Sequence, residues 1–468
     1  MIQLIADREH EFRFLEQHYK RRTSELVVIY GRRRAGKTEL ALQFSKDKPH
    51  VYFLVDRRPE NELIQGLKQR MSFYLKDESF QKLAVKDWFE LFQEFTKWNG
   101  NEHTIVILDE FPNLVETSRA APSIFQKIWD QNLKSTKTML ILLGSSIAVM
   151  ENEVLGYKSP LYGRRTAQWK LEPLKIHHLK PFFTQYSIEQ LTHVYACIGG
   201  IPFYLLKFDP QLDFWQNVEQ KILTKGEFLY EEAEFLLREE LREPRNYNLI
   251  LRVLAQGART YGEILNQTNM DKSMLSKYTS VLENLGFMER TYPIAIKPKP
   301  RKGVYTIADN YLNFWFRYVF PNKTELETGN TQDVLSRIKR DYNTYLGRAF
   351  EQAATEFLTE MKSRNKLPFT FTSIGKWWCK GDEIGIVALD EETKTATFLE
   401  TKWSTLNKQD CNETLRNLEE KAQRFRWNHK KENYGIIAKS ITHKQDLTGQ
   451  GCIVFDLDDL EPLMTRNT

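Results

Sequence analysis

A chain of 468 residues exceeds what one hydrophobic core of ordinary size holds, so about three or four domains of roughly 150 residues each are expected. With 41% hydrophobic and 28% charged residues, and with no low-complexity tract or internal repeat, the composition excludes a disordered or fibrous chain. The formal charge of +5 is too slight to indicate nucleic acid by itself, so only local clusters of charge are informative.

The first residues, MIQLIADREHEF, meet charged side chains too early for a secretory signal, and no apolar run approaches the roughly 18 residues of a membrane span. A cytoplasmic protein without membrane attachment is expected. Cys197, Cys379, Cys411 and Cys452 are widely spaced and show no zinc-ligand pattern, which points to reduced thiols.

Leu26 to Tyr30 (LVVIY) is a continuous apolar run rich in β-branched residues, the pattern of a parallel strand buried on both faces. GRRRAGKT follows directly, and ELALQF after it has helical spacing. Gly31, Gly36, Lys37 and Thr38 therefore fit a phosphate-binding loop between strand and helix. In such a loop backbone N–H groups converge on phosphate oxygens, Lys37 reaches the β- and γ-phosphates, and the Thr38 hydroxyl ligates Mg²⁺. Gly31, Arg34, Ala35, Gly36, Lys37, Thr38 and Glu39 form the candidate nucleotide-binding set. Arg32, Arg33 and Arg34 are either solvated loop charges or direct contacts to the nucleotide.

His50 to Val55 reads as a second strand, and TIVILDE as a third that ends in two acids. Asp109 is the candidate second ligand for Mg²⁺, and Glu110 the group that orients or deprotonates the attacking water. The run from Met139 to Leu143 ends in Gly144, Ser145 and Ser146; either serine could sense the γ-phosphate or the water, and ordinary turn chemistry explains the pair as well. Four such runs alternating with helical segments imply a parallel sheet with helices on both faces.

DRE at Asp7 to Glu9, GRRRAGKTEL at the phosphate loop, LDEFPNL at Asp109, SPLYGRRT at Ser159 to Thr166 and IGGIPFYL at Ile198 to Leu205 together resemble the archaeal-type ATPase family of the AAA/STAND class. The resemblance implies a multidomain α/β protein: a P-loop ATPase domain (1–170), a helical lid (171–240), a winged helix (241–305) and a C-terminal domain with a restriction-endonuclease-like fold (306–468). Within SPLYGRRT, Arg164 and Arg165 are the candidates for a guanidinium that neutralises charge on the γ-phosphate in the transition state, Arg165 being favoured. Both could equally pair with acids on a structural loop. IGGIPFYL reads as a helix that ends at Gly199 and Gly200 before a new segment begins near Pro202.

From Asn246, three short amphipathic stretches, an extended segment and the basic turn KPKPRK have the order of a winged helix. In the third helix Lys272, Ser273, Ser276, Lys277 and Tyr278 are expected to be exposed, with Leu275, Val281, Leu282 and Leu285 in the core. Lys272 and Lys277, with Lys297, Lys299, Arg301 and Lys302 of the turn, make a candidate surface for duplex DNA; a protein contact is the other use of such a unit. The aromatic segment YTIADNYLNFWFRYV reads as core rather than a base-stacking platform.

In the C-terminal part, IGKWWCKGDEIGIVALD and ATFLETKWS read as a hairpin, and YLGRAFEQAATEFL as a helix carrying Glu351. Glu400 and Lys402, one residue apart, project from one face of a strand. The resemblance gives these two the role of the E-x-K half of a metal-dependent nuclease site, and Glu351 a supporting one. Members of the family read E-I-D where this chain has Glu383, Ile384 and Gly385, so the metal-binding aspartate falls on a glycine. Glu383 and Asp382 are the nearest substitutes, and a shifted carboxylate restores metal geometry poorly. The expected function is a Mg²⁺-dependent ATPase whose nucleotide state controls a DNA-facing or partner-facing C-terminal half. The alternatives are an ATP-regulated metal-dependent nuclease and a nucleotide-switch scaffold that does not bind DNA.

Overall fold

A computed structural model describes residues 8–241, 243–295 and 303–464. It divides into two compact units, residues 1–173 and 174–468.

The first unit is built on five parallel strands: β1 (Glu25–Tyr30), β2 (His50–Leu54), β3 (Ile105–Asp109), β4 (Met139–Gly144) and β5 (Ala167–Lys170), in the order β2-β3-β4-β1-β5. Side chains alternate across a strand, and here both faces are apolar. Leu26, Val28 and Tyr30 of β1 join one core, Val27 and Ile29 the other. Helices α1 (Glu9–Tyr19) and α2 (Lys37–Ser45) cover the second face through Leu15, Leu40, Ala41 and Phe44. Helices α3 (Glu60–Leu75) and α4 (Trp88–Trp98) cover the first through Leu63, Leu67, Phe92 and Phe95. A short helix, α5 (Phe111–Thr117), starts directly after β3. The strand order matters for chemistry, because β4 stands between β1 and β3. The C-terminal ends of three adjacent strands thus carry the phosphate loop, Ser145 and the Asp109–Glu110 pair, at the edge where open α/β sheets bind ligands.

The second unit opens with α6 (Ile188–Ile198), which ends where Gly199 takes φ +66°; a new turn of helix begins at Pro202. Gly200 lies so close to the Leu174 backbone that a Cβ there would stand 1.7 Å from the Leu174 carbonyl oxygen. Beyond helical segments that include Phe214–Asn217 and Phe228–Glu240 come α7 (Pro244–Ala255), α8 (Tyr261–Thr268) and α9 (Lys272–Asn284), and then the antiparallel pair β6 (Met288–Thr291) and β7 (Val304–Ile307). Tyr311, Phe314, Trp315 and Phe316 are buried, and Phe314 packs on Tyr345 of the 33-residue helix α10 (Thr331–Ser363). The segment is core, as its composition implied.

The last sheet is mixed: β8 (Ser373–Cys379), β9 (Asp382–Asp390), β10 (Thr395–Leu406), β11 (Lys431–Ile441) and β12 (Ile453–Phe455), in the order β12-β11-β10-β9-β8. β8, β9 and β10 are antiparallel, whereas β10, β11 and β12 run parallel. The parallel β10–β11 crossover is made by α11 (Lys408–Ala422), whose Leu418 and Ala422 join the core formed by Val387 and Phe398. Among the described residues no helix is long and apolar enough to cross a membrane.

Candidate functional site

The chain leaves β1 at Tyr30 and must turn at once toward α2. Gly31 makes this turn against Leu171, the residue after β5: a Cβ on Gly31 would stand 2.4 Å from the Leu171 carbonyl oxygen. Arg34 (φ +66°) and Gly36 (φ +94°) are left-handed, so the loop curls until α2 starts at Lys37. Lys37 is buried, and its Nζ donates to the carbonyls of Gly31 (2.9 Å) and Arg32 (2.8 Å), which holds the ammonium inside the curl. The loop is anchored from outside by Arg8, whose Nη2 donates to the carbonyls of Ala35 (3.2 Å) and Glu172 (2.8 Å) while Nη1 pairs with Glu11 (3.0 Å). In the sequence Arg8 is one letter of the DRE phrase, with nothing local to mark a role. Its clamp spans 164 residues, and local spacing carries no trace of it.

Thr38 and Asp109 come together. The Thr38 hydroxyl donates to Asp109 Oδ2 at 2.6 Å, and the Tyr52 hydroxyl donates to the same oxygen at 2.9 Å. Burial raises the Asp109 pKa above the ordinary carboxylate value, with Thr38 and Tyr52 opposing the shift. Burial, and then the Asp109 charge, push the Tyr52 phenol above its usual range. In the sequence Tyr52 reads only as part of an apolar strand. Nothing in HVYFLV separates a tyrosine that reaches a carboxylate from one that fills core.

Glu110 follows in the left-handed region (φ +54°, ψ +44°), a conformation that costs a non-glycine residue about 1–3 kcal/mol and often marks a functional position. The strain turns its carboxylate across the end of β4, where Oε1 accepts from the Ser145 hydroxyl at 2.5 Å and Oε2 from the Ser145 N–H at 3.4 Å. Ser146 instead starts the next helical turn, its carbonyl accepting from Met150 N. Glu39, in the first turn of α2, is half-buried.

Among the described residues neither candidate arginine bonds to the loop, to Asp109 or to Glu110. Arg164 forms an ion pair with Asp130 (3.2 Å). Arg165 donates to the Tyr162 carbonyl (2.6 Å) and lies over the Tyr162 ring at 4.9 Å. Arg164 thus ties its loop to the Trp129–Leu133 segment, and Arg165 braces its own turn.

The C-terminal candidates are each matched with a cation. Glu351 pairs with Lys376, and Glu400 with Lys402 (3.2 Å) and Lys421 (3.6 Å). Glu383 forms a two-pronged pair with Arg259 (3.0 and 3.2 Å), and Asp382 pairs with Arg424. Gly385 also takes on a different meaning. A Cβ there would stand 2.4 Å from Glu351 Oε2, so the glycine makes room for a carboxylate reaching in from α10. Among the described residues no group of three or more His, Cys, Asp or Glu side chains is placed to hold a metal.

On α9, Lys272, Ser273, Ser276 and Lys277 are exposed and Leu275 and Leu282 are buried. Tyr278 is a correction: it is half-buried, accepts from Asn246 Nδ2 (2.9 Å) and packs edge-on to Tyr247. Val281 is only half-buried. Lys297, Lys299, Arg301 and Lys302 lie outside the described residues.

A strand, a glycine loop closing on a buried lysine, and a threonine facing the aspartate of a neighbouring parallel strand define a P-loop ATPase fold. Residues 5–208 match the family described as an ATPase domain predominantly from Archaea, and residues 315–414 a family of archaeal and bacterial proteins of unknown function. Over 456 residues, 97% of this chain, it is 41% identical to the uncharacterized protein MJECL04 of Methanocaldococcus jannaschii and spans the whole of that protein. Over 47 residues, 10% of this chain and 80% of the other, it is 38% identical to an uncharacterized ATP-binding protein, MJ0423, of the same organism. The Walker-type ATPase PABY2304 of Pyrococcus abyssi has a similar structure, with a TM-score of 0.50, 22% identity, and coverage of 67% of this chain and 96% of that one. The chain belongs to the archaeal-type ATPase family.

Proposed function

We propose that this chain is a cytoplasmic Mg²⁺-dependent ATPase whose nucleotide state controls a C-terminal half facing DNA or a protein partner. The observation that carries the reading is the pairing of two acids with two hydroxyls on adjacent strand ends: Thr38 with Asp109, and Ser145 with Glu110. The donor set suits the expected ligands. Gly31 and Gly36 free the backbone of the loop, and a hydroxyl and a carboxylate oxygen 2.6 Å apart have the hard-oxygen chemistry that Mg²⁺ prefers. Thr38 and Asp109 would hold the ion, which when bound neutralises charge between the β- and γ-phosphates. Lys37, already confined by the loop, supplies a second positive charge. Glu110 orients the attacking water and accepts its proton, while Ser145 fixes the carboxylate so that little reorganisation is needed at the moment of reaction. The test compares Lys37→Ala with Glu110→Gln: the first loses ATP binding, and the second keeps it but loses turnover. Undiminished hydrolysis in Glu110→Gln would remove that residue from the mechanism.

For the C-terminal half, α7 to α9 followed by the β6–β7 ribbon support a winged helix, and exposed Lys272 and Lys277 suit contacts to DNA phosphates. Replacing Lys272 and Lys277 together with the four basic residues of the turn should weaken DNA binding and lower its salt dependence by about one slope unit per lost contact. The cations on Glu351, Glu383 and Glu400 favour a nuclease-like scaffold that does not cleave over an active nuclease. Nicking of duplex DNA with Mn²⁺, lost in Glu400→Ala, would reverse that choice.

A further inference from the structure

A cavity of about 490 Å³ lies within the C-terminal unit, enclosed by the turn before α8, the β6–β7 ribbon, α10 and the strands β8 and β9. That is a volume suited to a small-molecule ligand. Three cations line it: Arg259, Arg348 and Lys376. Two are already matched, Arg259 with Glu383 and Lys376 with Glu351. The remaining carboxylates of the wall are committed elsewhere. Glu289 accepts from the Thr306 hydroxyl (3.0 Å), and Glu356 accepts from the Tyr195 hydroxyl (2.6 Å) and the Ile176 N–H (3.0 Å).

Arg348 differs from all of these. Among the described residues it has no hydrogen bond and no ion pair, and its side chain is exposed where it lines the cavity. Partial desolvation of its stem and the neighbouring cations Arg259 and Arg317 lower its pKa, Glu383 and Glu351 oppose the shift, and a guanidinium stays charged across the physiological range. Over the whole wall four carboxylates stand against three cations, but the two cations beside Arg348 are each matched, so its guanidinium is the charge left open to a ligand, and its planar fork suits an oxyanion.

We propose that this cavity binds a small molecule carrying a phosphate or carboxylate group, anchored by Arg348. The proposal is independent of the P-loop reading. A ligand there would touch the ribbon, the long helix and the C-terminal sheet at once, and so would fasten the β6–β7 ribbon to the mixed-sheet domain.

The full chain is treated with phenylglyoxal, and modification of each arginine is followed by peptide mass spectrometry with inorganic phosphate, AMP or citrate as probes. Arg348 should label faster than ion-paired Arg259. At least one probe should slow the labelling of Arg348 several-fold while leaving exposed Arg416 unchanged. Protection by phosphate or AMP assigns the oxyanion to a phosphate compound, and protection by citrate alone to a carboxylate. A rise in Tm caused by the protecting probe should vanish in Arg348→Met, which keeps the apolar stem, and persist in part in Arg348→Lys. Arg348 labelling that none of the probes alters overturns the proposal, as does an undiminished Tm shift in Arg348→Met. Protection by a duplex oligonucleotide and by none of the small probes also overturns it, since the guanidinium would then serve a nucleic acid.

Discussion

Replacing Gly31 by Ala places one methyl group where the structure has no room. The new Cβ would stand 2.4 Å from the Leu171 carbonyl oxygen and 3.2 Å from both its carbonyl carbon and its nitrogen. All three are backbone atoms, and Leu171 N is already bonded to the Tyr30 carbonyl at 2.7 Å, so no flexible side chain can yield. Overpacking of this kind costs about 1–3 kcal/mol. The positive φ of +147° adds strain of the same order, about 1–3 kcal/mol. Together these consume a large fraction of a typical stability of about 5–15 kcal/mol. The expected outcome is a lower Tm and weaker ATP binding, measured by thermal unfolding and by titration with a fluorescent ATP analogue. Gly262→Ala is the control, since its Cβ meets open space in the first turn of α8 and the change should be neutral or mildly stabilising. If Gly31→Ala unfolds and binds ATP like the wild type, the close approach to Leu171 does not shape the loop and the reasoning fails.

Ser145→Ala removes the hydroxyl that holds Glu110; a hydrogen bond to a charged group is worth about 1.5–3 kcal/mol, so kcat should fall about ten- to a hundredfold with KM for ATP little changed. Gly385→Asp pushes the Glu351 carboxylate off Lys376 and should lower the Tm in metal-free buffer by the equivalent of about 1–3 kcal/mol, whereas added Mn²⁺ should restore it if the two carboxylates share an ion; no response to Mn²⁺ would leave the face a set of ion pairs only. His193, packed on Tyr342, has its pKa lowered by burial to about 4, with Glu189 opposing and Lys439 assisting the shift. Its neutral form is favoured in the folded state, so its contribution of about 3 kcal/mol is present above pH 6.5 and is lost as the pH falls toward 4. Unfolding measured across that window should be less acid-sensitive in His193→Gln.

Much of the fold was legible because the apolar runs are long enough to specify strands buried on both faces, as in Leu26 to Tyr30 and Met139 to Leu143. Asp109, Glu110 and Ser145 could be found because each stands where such a run stops and a polar residue begins, and Thr38 because it completes the glycine–lysine spacing of the loop that follows one. Tyr52 and Arg8 act across 57 and 164 residues, and a contact at that separation leaves no local periodicity to read. The ion partners of the C-terminal acids were hidden for the same reason: Arg259 and Glu383 are 124 residues apart. Gly385 was misleading in a different way. A missing side chain reads as a missing ligand until a second carboxylate is found in the space it leaves.

The phosphate loop touches the segment after β5 twice, through Gly31 against Leu171 and through Arg8 bridging the carbonyls of Ala35 and Glu172. Those residues are the last before the chain passes, after Pro173, into its second unit. The loop and the covalent exit of the first unit are therefore fastened together like a latch and its hinge pin. The two residues that wall and clamp the loop, Leu171 and Glu172, are thus also the covalent way out of the unit.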